Sequence, residues 1–545
     1  MKKLKIFYRF LAFFSALTLI SACKSIDTQK QFTTPVVTTA TGMPIQNGNF
    51  GGIALDTAEY DVPQALPFPE VNDIGITADT SAETTVTAVS LTTSPTVVEN
   101  TSATSAVTVT STAYAVSSSA ATAEITTTAE TSVEVTTTAA ETSTQTKAST
   151  ATETTTAATT AAVTTSAASI SGSYRKNSYK AVNHTRVKAV WISYIELSNH
   201  LNGKDESSFR KEFGAMLDNC AGFGINTLYV HVRAFGDAYY YSSLFPFTKH
   251  ISGAVGKRTA YDPLKIMLSE AHARGMSFHA WINPLRLCSG TDIAAVSTDY
   301  PVGKWYNGSE NGKYIVNVNG TWYLNPAYDA VRQLIGDNVR EIVSNYDVDG
   351  IHIDDYFYPT TDASFDSAAF TGSGYSSLSA FRVSKCSSMV KEMYTATHEC
   401  GSAVFGAAPQ GNNINNLNQL YADTKAWSAG GYIDYFAPQI YYGFENSGVP
   451  FAACVDEWAG IVRGTGTKLY AGLSVYKAGT EDKWAGAGKN EWQNTSTMLK
   501  RQTEYAESNG CGGIALYSYS YLFDSGYKTA ATQAEADNLK PLLTK

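Results

Sequence analysis

The chain has 545 residues, and 40 Lys and Arg against 49 Asp and Glu leave a formal net charge of −9. No basic block or Lys/Arg-rich helix is present to neutralise phosphates, which excludes a general nucleic-acid binder. Composition is uneven along the chain, so length bounds the fold only when each zone is read separately.

Residues 1–22 open with lysines and an arginine, continue as an apolar run too short and too early for a spanning anchor, and end in small residues. That is the pattern of a secretory signal peptide. Ile20, Ser21, Ala22 and Cys23 resemble a bacterial lipobox, making Cys23 the expected lipidated first residue of the mature protein; the alternative is an ordinary signal with an incidental cysteine. Acyl chains contribute ~0.8 kcal/mol per buried methylene, enough for several chains to hold the protein on the outer face of the cytoplasmic membrane, at the cell surface. Residues 23–79 contain PIQNGNFGGIALDTAEYDVPQALPFPEV, too short for a core and without an assignable role. Residues 80–184 are dominated by Thr, Ala, Ser and Val; such a segment buries too little apolar surface to offset its ordering entropy and reads as an O-glycosylated linker. About 150 residues of flexible coil reach roughly 60 to 75 Å from the anchor.

From 185 to 530 apolar strands alternate with amphipathic helices, and 531–545 reads as a C-terminal tail or helix. The first strand is VKAVWISYI (187–195), followed by a helix over 205–221 with Phe209, Phe213, Met216, Leu217 and Cys220 on one face. Next come NTLYVHVR (226–233), a helix from Asp262 to Arg274 with Pro263 in its first turn, and MSFHAWINP (276–284). A helix over 326–346, with Val331, Leu334, Ile335, Val339, Ile342 and Val343 inward, leads into DGIHIDDYF (349–357). Strands at 402–409, 432–442, 468–476 and 512–520 complete a set of eight. Strands alternating with helices pair in parallel, and eight such units in about 350 residues predict a (β/α)₈ TIM barrel. A doubly wound sheet predicts a Gly-rich phosphate turn after an early strand, and no GxGxxG follows the first two. Cys220, Cys288, Cys386, Cys400, Cys454 and Cys511 lack CxxC or Cys/His spacing and read as buried free thiols.

Reactive groups of such a barrel sit at the C-terminal ends of its strands. The second strand ends in His231 and Arg233 with Asp237 beyond; the third in His279, Trp281 and Asn283; the fourth in His352, Asp354, Asp355 and Tyr356. The sixth ends in Gln439, Tyr441 and Tyr442 with Glu445 beyond, and the eighth in Tyr517, Tyr519 and Tyr521. A period of two puts His352, Asp354 and Tyr356 on the inward face and lets Asp355 bend over the rim. Two adjacent carboxylates are costly unless one stays protonated, which is a general acid's condition. The structural alternatives are that Asp354 only pairs Arg233 and that Asp355 only caps a loop. Trp281, Tyr356, Tyr441, Tyr442 and Tyr519 offer faces for sugar rings, while Arg233, Asn283, His352 and Gln439 offer directional hydrogen bonds. Neither a metal set nor a cofactor motif is visible: HExxH and spaced Cys/His clusters are missing.

The runs AVWISY, VHVRAFGDAYYYSS, EAHARGMSFHAWINP, WYLNPAYDAVR, YDVDGIHIDDYFYP and DYFAPQIYY together resemble the bacterial glycosyl-hydrolase-like family 10 over about residues 185–525. The resemblance implies a (β/α)₈ glycosidase on exported proteins or lipoproteins, with members that cut peptidoglycan glycan strands lacking stem peptides. DGIHIDDY also matches the frame of the DGxDxDxE motif of family 18 chitinases, but His352 replaces the first inner Asp and Tyr356 the acidic Glu. An ordinary chitinase is thereby excluded. Asp354 keeps the position that steadies a substrate acetamide in those enzymes, and APQGNNINN (408–416) departs from the family's more usual aromatic and Arg residues after strand five. The expected function is hydrolysis of an amino-sugar polysaccharide by a monomer, with Asp354 as nucleophile or orienting carboxylate, Asp355 as its partner or the acid, and Asp237 and Glu445 as reserve acids. A retaining pair is expected at roughly 5 to 5.5 Å and an inverting pair at roughly 6.5 to 9.5 Å. The alternatives are a non-catalytic glycan-binding lipoprotein and a hydrolase of another extracellular polysaccharide.

Overall fold

The computed structural model describes residues 174–545; the expectations placed on 1–22, on Cys23 and on 23–173 lie outside the described residues. The barrel strands are β1 Val187–Ile192, β2 Thr227–Arg233, β3 Ser277–Ile282, β4 Gly350–Ile353, β5 Val404–Ala407, β6 Tyr435–Phe436, β7 in two pieces (Lys468–Leu469 and Ala471–Ser474) and β8 Gly513–Tyr517. All pair in parallel in chain order, and β8 returns to β1 from Val187↔Gly513 to Val190↔Leu516. The ring closes at the break in β7: its first piece pairs with β6 and its second with β8. This is the (β/α)₈ barrel predicted from the alternation.

Helices α1 Glu206–Phe223, α2 Pro263–Ala273, α3 Asp329–Asn345, α4 Leu378–Cys400, α5 Thr424–Ala429, α6 Phe451–Val462, α7 Met498–Ser508 and α8 Ala530–Leu543 follow the strands in turn. Helix α1 starts where Asp205 accepts from the Ser208 N–H at 2.7 Å, satisfying an orphan donor of its first turn. It stops at Gly224, whose φ of 93° favours glycine and whose missing Cβ leaves room for the Leu543 carbonyl, 2.6 Å from where that carbon would sit. The six inward positions read for α3 are all buried. None of the six described cysteines is paired.

One domain edge needs correction. Residues 531–545, read as a tail or helix, are nearly all of α8, with Leu539 and Leu543 fully buried and the Leu542 and Leu543 carbonyls accepting from Arg186 and Lys188 at 2.9 and 2.6 Å. Residues 174–184, assigned to the linker, form a strap across the N-terminal ends of the strands. There Asn177 donates to the Val343 and Tyr346 carbonyls, and the Tyr179 hydroxyl to Asp349 at 2.8 Å. Polar hydrogen bonds rather than apolar burial hold the strap, so composition does not reveal it. On the same face Asp349, before β4, meets His272 of α2 at 2.9 Å and the Phe278 N–H of β3 at 2.7 Å. Asp434, before β6, repeats this with His398 of α4 at 2.9 Å and the Phe405 N–H of β5 at 2.6 Å.

At the opposite face, the connection after β3 folds into a three-stranded antiparallel sheet of Arg286–Ser289, Ile315–Val318 and Thr321–Leu324, which the sequence reading did not foresee. The ring interior is aromatic, holding Trp191, Tyr229, Trp281, Tyr435, Tyr441 and Tyr517. Glycines on the facing strands make the space: a Cβ on Gly350 would lie 2.4 Å from the His279 ring, and one on Gly406 2.0 Å from the Tyr435 ring.

Candidate active site

The floor of the site is a hydrogen-bonded row of neutral rings. The Trp191 indole N–H donates to His352 Nε2 at 3.0 Å, which leaves His352 Nδ1–H to donate to the Tyr435 hydroxyl at 2.9 Å. Tyr435 then donates to His279 Nδ1 at 2.8 Å, and His279 Nε2–H to Ser277 Oγ at 3.0 Å. Burial pushes His279 down to about 4 and His352 well below the ordinary imidazole range. A parallel arrangement holds Trp281. Its ring stacks on His231 with centroids 3.3 Å apart, and His231 accepts the Tyr194 N–H at Nδ1 and so donates from Nε2 to Asn283 Oδ1 at 3.0 Å.

Above this floor stand the two carboxylates. Asp354 and Asp355 are 4% and 6% exposed. Asp354 Oδ2 accepts from the Trp281 indole at 3.2 Å and Oδ1 from the Tyr356 N–H at 3.1 Å. Asp355 accepts from two side-chain amides, Gln439 on Oδ1 at 3.0 Å and Gln410 on Oδ2 at 3.2 Å. Burial, reinforced by the charge of Asp355, pushes Asp354 up to about 8, against the pull of Arg286. Burial raises Asp355 as well, opposed by the two glutamine hydrogen bonds and by Arg286. The environments are therefore unequal: amide donors favour a charged Asp355, while Asp354 holds the proton at neutral pH.

The structure brings together Asp354, Asp355, Trp281, Tyr356, Gln439 and Tyr441, and packs Tyr442 into the outer core beside Gly411. It puts others elsewhere. Arg233 follows a register shift between His231 and Arg233, which turns its side chain out of the mouth. It is fully buried, donates to the Pro284 and Phe235 carbonyls and lies over the Phe245 ring at 4.6 Å, so it pairs with neither aspartate. His352 and Asn283 are fully buried members of the floor, with no surface for substrate. Tyr519 sits beyond the end of β8, where a short helix, Tyr519–Phe523, has replaced the strand period; its hydroxyl accepts from Asn219 of α1. The inward residue of β8 is Tyr517. Glu445 is exposed, with its own N–H held by Glu491 at 2.8 Å. Asp237 accepts the Phe235 N–H at 3.1 Å and lines a side cavity of about 130 Å³ with His250, Arg286 and Cys288.

Two site residues escaped the sequence reading. Arg286 opens the inserted sheet, donates to the Ala234 carbonyl at 3.1 Å and lies between the Phe235 and Tyr356 rings at 4.4 and 4.7 Å. Gln410 did leave a signal: Ala-Pro-Gln occurs at 408–410 and again at 437–439, and both glutamines end on Asp355.

Comparison of the sequence with known proteins finds named relatives. Glycosyl hydrolase YngK of Bacillus subtilis is 30% identical over 325 residues, covering 54% of this chain and 62% of the relative. Glycosyl hydrolase DigH of Escherichia coli is 31% identical over 292 residues, covering 49% and 66%. The chain thus spans less than two thirds of either relative. The solved glycoside hydrolase domain of PgaB (BpsB) from Bordetella bronchiseptica is similar at 12% identity, with a TM-score of 0.43 over 66% of this chain and 99% of that one, too remote to bear on the site. The family model described as glycosyl hydrolase-like 10 matches residues 186–486, from the start of β1 through the β7 loop. That match takes in both aspartates and both glutamines, and the chain belongs to the glycosyl hydrolase-like 10 family.

Proposed function

We propose that the barrel hydrolyses glycosidic bonds of an amino-sugar polymer, peptidoglycan glycan strands being the best-fitting substrate, with Asp354 as general acid and Asp355 as its charged partner. The observation that carries this reading is the inequality of the pair: a buried acid pushed up to about 8 beside a carboxylate held by two amides. Such a pair supplies one proton donor and one anion at the same pH, as acid-assisted glycoside cleavage requires. The order of roles reverses the one expected from sequence, because burial and the charge of Asp355 outweigh the Trp281 and Tyr356 donors at Asp354, while two side-chain amides hold Asp355. Trp281 and Tyr441 supply apolar faces beside the pair, and Arg286 stabilises negative charge there. Peptidoglycan is supported by the resemblance of the motifs and by the export signal read in residues 1–22.

The test incubates the purified protein with amidase-treated glycan strands and with chitin, and looks for new reducing ends by mass spectrometry. Products from denuded strands, lost in Asp354→Asn and Asp355→Asn, are the expected result. Binding without any product from any glycan would instead make the protein a tethered glycan-binding module. The same reading places it on the outer face of the membrane through Cys23; Cys23→Ala should abolish incorporation of a labelled fatty acid and release the protein from the membrane fraction.

A further inference from the structure

We propose that a row of tyrosines on the β6–β8 side of the mouth is a stacking track for successive sugar rings, and that the enzyme accordingly cuts within strands rather than from their ends. This rests on the function proposed above. The row starts inside the barrel at Tyr517 and Tyr441, which share the interior with Trp191 and Trp281 and have ring centroids 6.1 Å apart. Tyr476, just past β7, lies 6.0 Å from Tyr441; Tyr521 lies 5.8 Å from Tyr476; Tyr527 lies 5.6 Å from Tyr521. Tyr476 also lies 6.3 Å from Tyr517, so these three rings form a cluster at the ends of three successive strands, from which Tyr521 and Tyr527 lead outward.

Core packing is the competing explanation, and one observation weighs against it for the outer rings. Exposure rises along the row, from 9% and 6% at Tyr517 and Tyr441, through half-buried Tyr476 and Tyr521, to 37% at Tyr527. An exposed phenol ring offers an apolar face beside a hydroxyl, which suits the mixed surface of a sugar. The inner end of the row is tied to the carboxylates through Trp281, which shares the interior with Tyr441 and donates its indole N–H to Asp354 at 3.2 Å. Its support is rigid. Tyr476 sits in a short turn, Val475–Lys477, next to a buried Lys477–Asp482 pair at 2.8 Å. The β7 loop is in turn fixed to the β6 loop by the Ser447 N–H on the Ala485 carbonyl at 3.0 Å. An exposed outer end lets a strand continue past Tyr527, as internal cleavage requires.

The experiment uses the full-length protein and its Tyr527→Ala variant, with folding checked by thermal melting. On denuded strands the wild type should release internal fragments of mixed length early in the reaction, and Tyr527→Ala should raise KM several-fold on long strands and less on short oligosaccharides. Identical kinetics on long strands, or release of only the terminal unit, would overturn the proposal. Binding of strands of increasing length to Asp354→Asn, with and without Tyr527→Ala, separates the two readings. If the wild type cuts no glycan, internal cleavage falls with the proposed function; the track then stands on length-dependent affinity that Tyr527→Ala removes, and falls if affinity ignores length.

Discussion

Asp354 keeps a proton at neutral pH because water is excluded from it and a second carboxylate adjoins it. Activity should therefore fall as pH rises through about 8, where Asp354 loses that proton. Asp354→Asn should lower kcat by about 10²- to 10⁴-fold, and a pH–rate profile on denuded strands checks both. The same shift has a sign for stability. The native pKa lies above the ordinary 3.8, so the native state binds this proton more tightly than the unfolded chain; that contribution is complete below 3.8 and gone above about 8. Asp354→Asn should accordingly gain melting temperature over the wild type from pH 4 to pH 8, and no further above that. Trp281→Phe removes a donor that favours the charged form and should move the alkaline limb upward. Strand alternation made Asp354, Trp281 and Gln439 legible as site residues. It misled at Arg233 and Tyr519, where a register shift and a strand end break the period of two.

At the scale of elements, the aromatic interior dictates where strands can carry no side chain. Gly406→Ala would push a methyl into the Tyr435 ring, which is held in the floor by hydrogen bonds to His352 and His279 and has little room to yield. Overpacking of this kind costs about 1 to 3 kcal/mol; urea unfolding should report a loss in that range, and activity should fall with the displaced floor. All eight strands were legible because a sheet buried on both faces reads as a near-continuous apolar run. The inserted sheet after β3 was not, since its four-residue strands are short and mix exposed with buried positions. Arg286 was lost with it.

For the molecule as a whole, stability depends on contacts far apart in sequence. Arg382 and Asp366, both fully buried and 2.6 Å apart, fix the long connection after β4 to α4. Asp366→Asn leaves a buried charge without its counterion and should cost about 3 to 5 kcal/mol, read as a drop in melting temperature. Deleting residues 530–545 should be at least as severe, because it uncovers α7, takes Glu535 from the Met498 and Leu499 N–H groups and removes the acceptors of Arg186 and Lys188; loss of cooperative unfolding by circular dichroism is the expected result. Neither contact was legible, since ion pairs and strap bonds between distant segments leave no periodicity. The aspartates before β4 and β6 make the same tie to a histidine and a neighbouring strand, one pair of βα units apart, on the face opposite the chemistry. The ring is thus tied between β3 and β4 and between β5 and β6 on the face away from the carboxylates, so replacing loops at the mouth leaves both ties intact.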